Sequence, residues 1–156
     1  MQLTSIEYAK LIAWLAFKND RITLGRTQIQ KILFVCYGLF YAAKGSPMFN
    51  DDTAKAWPFG PVFPRSYKRY NYYIDSELSE EEKKSFAEDV ETLKMITTVT
   101  HKLSYYSARD LTAWSHQPGT PWAKVILDQK DIKWNTELNK DDIRAYFSSG
   151  DWKRGL

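Results

Sequence analysis

Two histidines, His101 and His116, and one cysteine, Cys36, are the side chains of this sequence best suited to act as a base or a nucleophile near neutral pH. Nucleophilic catalysis needs a hydroxyl or thiol beside a base, with donors waiting for the developing oxyanion. Neither histidine stands in a Gly-x-Ser-x-Gly elbow or another signature of that kind. Cys36 falls on the apolar face of a helical stretch, where a thiol is a small buried hydrophobe. A lone cysteine excludes an intrachain disulfide and a cysteine-based zinc site. Two histidines without an H-E-x-x-H or D-x-D-x-D-G pattern do not make a metal site. The seven glycines are scattered, with no Gly-rich phosphate cradle among them. Asp51 with Asp52 and Asp141 with Asp142 read as caps at loops and helix starts, not as a general acid and base. The sequence therefore predicts no enzyme, no metal and no cofactor.

Recognition chemistry is better represented. Aromatic residues make up 15% of the chain, with six Trp and ten Tyr. A core of this size cannot take in that many rings with every polar tip satisfied, so some should lie on the surface, where amphipathic rings build protein interfaces. The run Arg65-Ser-Tyr-Lys-Arg-Tyr-Asn-Tyr-Tyr73 interleaves charge with aromatics, and Arg65, Tyr67, Lys68, Arg69, Tyr70, Tyr72 and Tyr73 are the candidate partner-binding residues. Such a stretch can track a phosphate backbone and stack bases, or it can be an amphipathic helix with Tyr67 and Tyr70 on the core and Lys68 and Arg69 in water. The 22 basic and 19 acidic residues are spread along the chain, giving a formal charge of only +3, which argues against nucleic acid as a partner. The acidic run Glu77 to Glu91 reads as a solvated helix face.

The elements that must position these residues are mainly helical. At 156 residues one domain is expected, spanning 1–156, with 150–156 either a loose tail or an anchor around Trp152 that folds on a partner. Thr4 and Glu7 have capping-box spacing ahead of a helix from Ser5 to Asn19, whose scant polar face makes it central to the core. Thr27 opens a second helix that places Ile29, Ile32, Leu33, Cys36, Leu39, Phe40 and Ala43 on one face and ends at Gly45. Pro47, Pro58, Gly60, Pro61 and Pro64 then forbid regular helix from Ser46 to Pro64, leaving a loop with a short extended segment in 53–62. A helix resumes over Val62 to Tyr73. Ser79 and Glu82 cap another that runs to about His101, with the β-branched run 97–100 either helical or extended. Shorter helices follow from Ser107 to Ser115, from Pro121 through Ile126 and from Lys140 to Ser149. The sum is a mostly α, single compact domain of six to seven helices. The longest apolar run, Leu11 to Phe17, is too short to span a bilayer and has no cleavage site behind it, so a cytoplasmic, membrane-free location is expected.

Three segments in order carry a resemblance: Gln30-Lys-Ile-Leu-Phe-Val35, then Ala56-Trp-Pro-Phe-Gly-Pro-Val62, then Asp110-Leu-Thr-Ala-Trp-Ser-His116 running into Thr120-Pro-Trp122. Together they resemble the Panacea domain, a GepA-like, phage-associated antitoxin domain, over about Ile6 to Phe147. Pro58 and Phe59 depart slightly from the usual spacing before Gly-Pro, and Ser115 stands where Thr is common. The resemblance implies an antitoxin of a toxin-antitoxin system that neutralises a cognate protein toxin by direct binding, without enzymatic activity or cofactor. It also implies two alternatives for the mode of action, since one branch is an adaptor delivering its toxin to the ClpXP protease. The motif residues Gln30, Lys31, Leu33, Trp57, Gly60, Pro61, Val62, Leu111, Ser115, His116, Pro121 and Trp122 read as architecture. Gly60-Pro61 makes a turn, Trp57 and Trp122 plug it onto the core, and the His116 ring is placed to satisfy a carbonyl orphaned at a helix end.

Overall fold

The computed structural model describes residues 2–74 and 77–156. Helices α1 (Ser5–Asp20) and α2 (Arg26–Lys44) lead into a hairpin of β1 (Lys55–Trp57) and β2 (Gly60–Val62). Two short helices follow, α3 (Pro64–Tyr67) and α4 (Tyr70–Ile74), then α5 (Glu80–Ala87), α6 (Val90–Leu103), α7 (Ala108–Ser115) and α8 (Pro121–Leu127). Strand β3 (Thr136–Glu137) precedes α9 (Lys140–Ser149), and a 3-10 turn, Asp151–Lys153, closes the chain. The chain is a mostly helical single domain with a small antiparallel sheet ordered β2-β1-β3.

Helix α2 is the axis. All ten residues from Ile29 to Gly38 are buried, whereas α1 leaves Phe17 exposed, so the more enclosed helix is the second and not the first. Helices α1, α6, α7 and α9 pack around it. Gly38 permits the closest of these approaches, because a Cβ there would strike the Phe147 ring of α9. Helix α1 starts as its sequence dictates: Thr4 and Glu7 form a reciprocal capping box, and Glu7 accepts from the Thr4 backbone N–H at 2.7 Å, whereas α2 starts at Arg26 behind Gly25 and not at Thr27.

The structure corrects the expected elements in three places and decides between the two readings of the β-branched run. The helix expected over Val62–Tyr73 is split, because Val62 belongs to β2 and Pro64 restarts the chain in the first turn of α3. The helix expected from Ser79 to about His101 breaks at Glu88, where Asp89 caps α6 by accepting from the backbone N–H of Thr92 at 3.0 Å and its hydroxyl at 2.7 Å. The β-branched run 97–100 stays helical, with Val99 and Thr100 buried and the Thr97 hydroxyl donating to the Leu93 carbonyl. Strand β3 lies outside the 53–62 segment expected to be extended; it pairs Lys55 with Glu137 and Ala56 with Thr136. Nine helices result among the described residues, against the six to seven expected.

The C-terminal residues fold onto the chain's own core. Trp152 is 9% exposed and packs against Phe147, and its carbonyl accepts from the Trp114 indole N–H at 2.7 Å. Trp152 is thus anchored on the chain's own core. Among the described residues no helix is long and apolar enough to cross a membrane.

Candidate functional site

Lys31 is the organising residue. It sits in the fully buried stretch of α2, with no exposed surface, and its ammonium donates to the Pro61 carbonyl at 3.1 Å. The Phe59 ring centroid lies 5.3 Å from the same nitrogen. Among the described residues no carboxylate forms an ion pair with it, and desolvation pulls its pKa from 10.5 down to about 7. The neighbouring Gln30 clamps the same hairpin from the other side. Its carbonyl accepts from the Phe63 backbone N–H at 2.8 Å, and its amide donates to the Ser66 hydroxyl at 3.0 Å, which in turn donates to the Phe63 carbonyl. A buried amide N–H left unpaired costs about 1–3 kcal/mol, so these bonds fix the register of hairpin against helix.

Gly60 makes the contact with Lys31 sterically feasible. Its φ of +114° lies in territory that side chains avoid, and a Cβ would sit 2.5 Å from Lys31 Cε and collide with the Ser115 hydroxyl. From α7, Ser115 gives its carbonyl to the Thr120 hydroxyl, while Thr120 caps α8 by accepting from the Ala123 N–H at 3.1 Å. Pro121 then occupies the first turn of α8.

His116 and Trp122 seal the outer side. Their rings stack at 3.8 Å between centroids and 11° between planes, and Trp134 stacks on Trp122 in turn at 6.4 Å. The Trp122 indole donates to the Trp57 carbonyl at 2.8 Å, and the Trp57 indole to Asn135 at 3.0 Å. Burial lowers the His116 pKa, the Lys31 charge lowers it further, and a bond to the Pro58 carbonyl opposes both. The carbonyl that acts on the His116 ring is that of Pro58 in the hairpin, whereas the sequence suggested one at a helix end. Its Nε2 is buried without a hydrogen-bond partner.

The structure thus brings together Gln30, Lys31, Trp57, Gly60, Pro61, Ser115, His116, Pro121 and Trp122 from three separated segments. Leu33, Val62 and Leu111, the apolar members of the set, have no exposed surface and form the core behind them. Lys31 has no exposed surface on which a substrate could meet it. The geometry joins α2, the hairpin, α7 and α8 into one body. Among the described residues no three His, Cys, Asp or Glu side chains are arranged to hold a metal ion. Cys36 is fully buried and its thiol is pushed well up by desolvation.

The Arg65–Tyr73 stretch divides by role. Tyr73 is 3% exposed and donates to the Ser66 carbonyl; Tyr70 donates to the Leu24 carbonyl. Tyr67 packs edge-on to Trp57 at 5.0 Å and under the Arg26 guanidinium. Arg65 lies 3.9 Å from Asp51, and its backbone N–H donates to Asp52. Lys68, Arg69 and Tyr72 remain on the surface, with Arg69 5.5 Å from the Tyr72 ring. A second buried cation escaped sequence reading: Lys10, 6% exposed, which donates to both carboxylate oxygens of Glu82 at 3.0 Å. The polarity of Glu82 at a helix start was legible, but nothing local shows that the same carboxylate reaches across to α1.

The model of the SocA-like antitoxin, Panacea domain family matches residues 29–123, which hold every motif residue of this centre. The chain belongs to that family. It is similar to the antitoxin SocA of Caulobacter vibrioides (strain NA1000 / CB15N), 29% identical over 112 residues that make up 65% of this chain and 59% of the relative. The chain thus matches about three-fifths of that relative's length. No solved structure matches.

Proposed function

We propose that the protein is an antitoxin that neutralises a cognate protein toxin, encoded by the adjacent gene, by binding it directly. The family match over residues 29–123 carries this reading. The geometry supports it: the motif residues are consumed in holding the scaffold together, and rings such as Tyr72, Tyr105 and Trp134 are left 46% or more exposed, as an interface requires. No arrangement that would turn over a substrate is needed for such a role.

The test is co-expression with the adjacent gene product. Growth should be rescued and the two proteins should co-purify as a stable complex; a neighbour that stays free and lethal would sink the reading. The same strains separate occlusion from delivery to ClpXP. Under occlusion the toxin's half-life is unchanged when the protease is deleted, and under delivery it lengthens.

A further inference from the structure

An apolar groove of about 470 Å³ lies between the exposed side of α6 and the end of α2, with the 3-10 turn closing one end. Its floor is Leu39, Met95, Val99 and Trp152. A smaller depression bounded by Phe40, Ala43 and Lys44 shares Leu39, Met95 and Glu91 with it and prolongs it along α2. The end wall is fixed, because the Trp152 backbone is tied to the Trp114 indole. From Glu91 to Leu103 the groove follows α6 for about 18 Å, the length of a twelve-residue helix.

The rim is basic on both sides. Lys94 and Lys102 stand on the α6 wall, roughly 12 Å apart along the helix axis, and Lys153 faces them from the turn, its ammonium 5.7 Å from the Trp152 ring. Glu91 is the single acid in the lining, and Lys44 pairs with it at 3.4 Å. A lone fatty-acid carboxylate would need one cation at one end. Cations spaced along both rims match repeated carboxylates on an extended ligand.

We infer that this groove receives an amphipathic helix of the toxin, with apolar anchors at three- and four-residue spacing and acidic residues on its flanks. The inference rests on the antitoxin reading and specifies where and by what chemistry the toxin is held.

The experiment uses the full-length protein and the purified product of the adjacent gene. Lys94 and Lys102 are exposed, so Lys94→Glu/Lys102→Glu should fold as the parent does by circular dichroism and weaken the complex at least tenfold. Lys130→Glu/Lys133→Glu, which changes net charge equally on the loop after α8, should leave the affinity within twofold. Thr98→Cys adds a reactive thiol at the groove, since Cys36 is inaccessible; a photocrosslinker there should capture an acidic helical peptide of the toxin. A parent complex that forms but ignores Lys94→Glu/Lys102→Glu, or that weakens equally in the control, overturns the groove while leaving the antitoxin reading intact. So does a label at position 98 that responds to laurate and not to the toxin. Absence of any complex with the parent protein overturns both.

Discussion

Two lysines are buried in this protein to nearly the same degree and by opposite means. Lys10, on α1, is paired with Glu82, a carboxylate that is still 31% exposed. Lys31, on α2, has a carbonyl, an aromatic ring and a histidine around it, and burial there drives the amine toward neutrality. The difference follows from position. Lys10 lies near the edge of the helical layer, where the start of α5 can bring an acid to it. Lys31 lies on the axial helix, walled in by the hairpin and α7, where an added carboxylate would itself be desolvated. The first region is stabilised by pairing and the second by geometry, and each can be broken separately.

The largest effect is expected at the steric wall of the Lys31 region. Gly60→Ala places a methyl against Lys31 Cε in a positive-φ conformation and should cost about 3 kcal/mol, read as a fall in urea midpoint at unchanged m value. An equal midpoint would mean that the hairpin is not locked on α2.

Titration exposes the second contrast. The Lys31 ammonium is held at about 7 in the folded state against 10.5 when free, so the unfolded chain binds more protons between those limits and stability rises with pH. The cost of the charge is fully present below pH 7 and shrinks above it. Between pH 7 and 8.5 the gain should reach up to about 2 kcal/mol, and Lys31→Met should flatten that slope in denaturant titrations. The window stops short of pH 9 because the buried Cys36 thiol, pushed well up by desolvation, favours unfolding beyond it, as the tyrosines Tyr8 and Tyr37, pushed up to about 12, do from about pH 10. A slope surviving in Lys31→Met would refute the assignment.

The Lys10 pair should respond more modestly and in acid. Burial pushes the Glu82 carboxyl up, but bonds from Ser79 and Lys10 outweigh it and hold the group below its ordinary range. Its stabilisation is complete above the unfolded glutamate value and is lost as pH falls through the folded one. Glu82→Gln should cost about 2 kcal/mol at pH 7 by stranding Lys10, and Lys10→Met in that background should recover part of it. Chemical denaturation of the four proteins in the cycle reads the coupling; additive losses would show that the two residues do not interact.

Local signals in the sequence determined where the helices begin, because capping pairs such as Thr4 with Glu7, Ser79 with Glu82 and Asn139 ahead of α9 act within four residues. They determined the helical class and, through three spaced motifs, the family. Interruptions inside long apolar patterns were less legible: Asp89 acts as a cap only because the chain turns there to lay α6 on α1. The tertiary structure alone decided that Lys31, Gly60, His116 and Trp122 share one centre, that Glu82 answers Lys10 across 72 positions, and that Trp152 closes the end of a groove. Those outcomes depend on which solvent-excluded surfaces meet. Desolvation of each lysine, and the partner that meets it, have no value until the chain is packed.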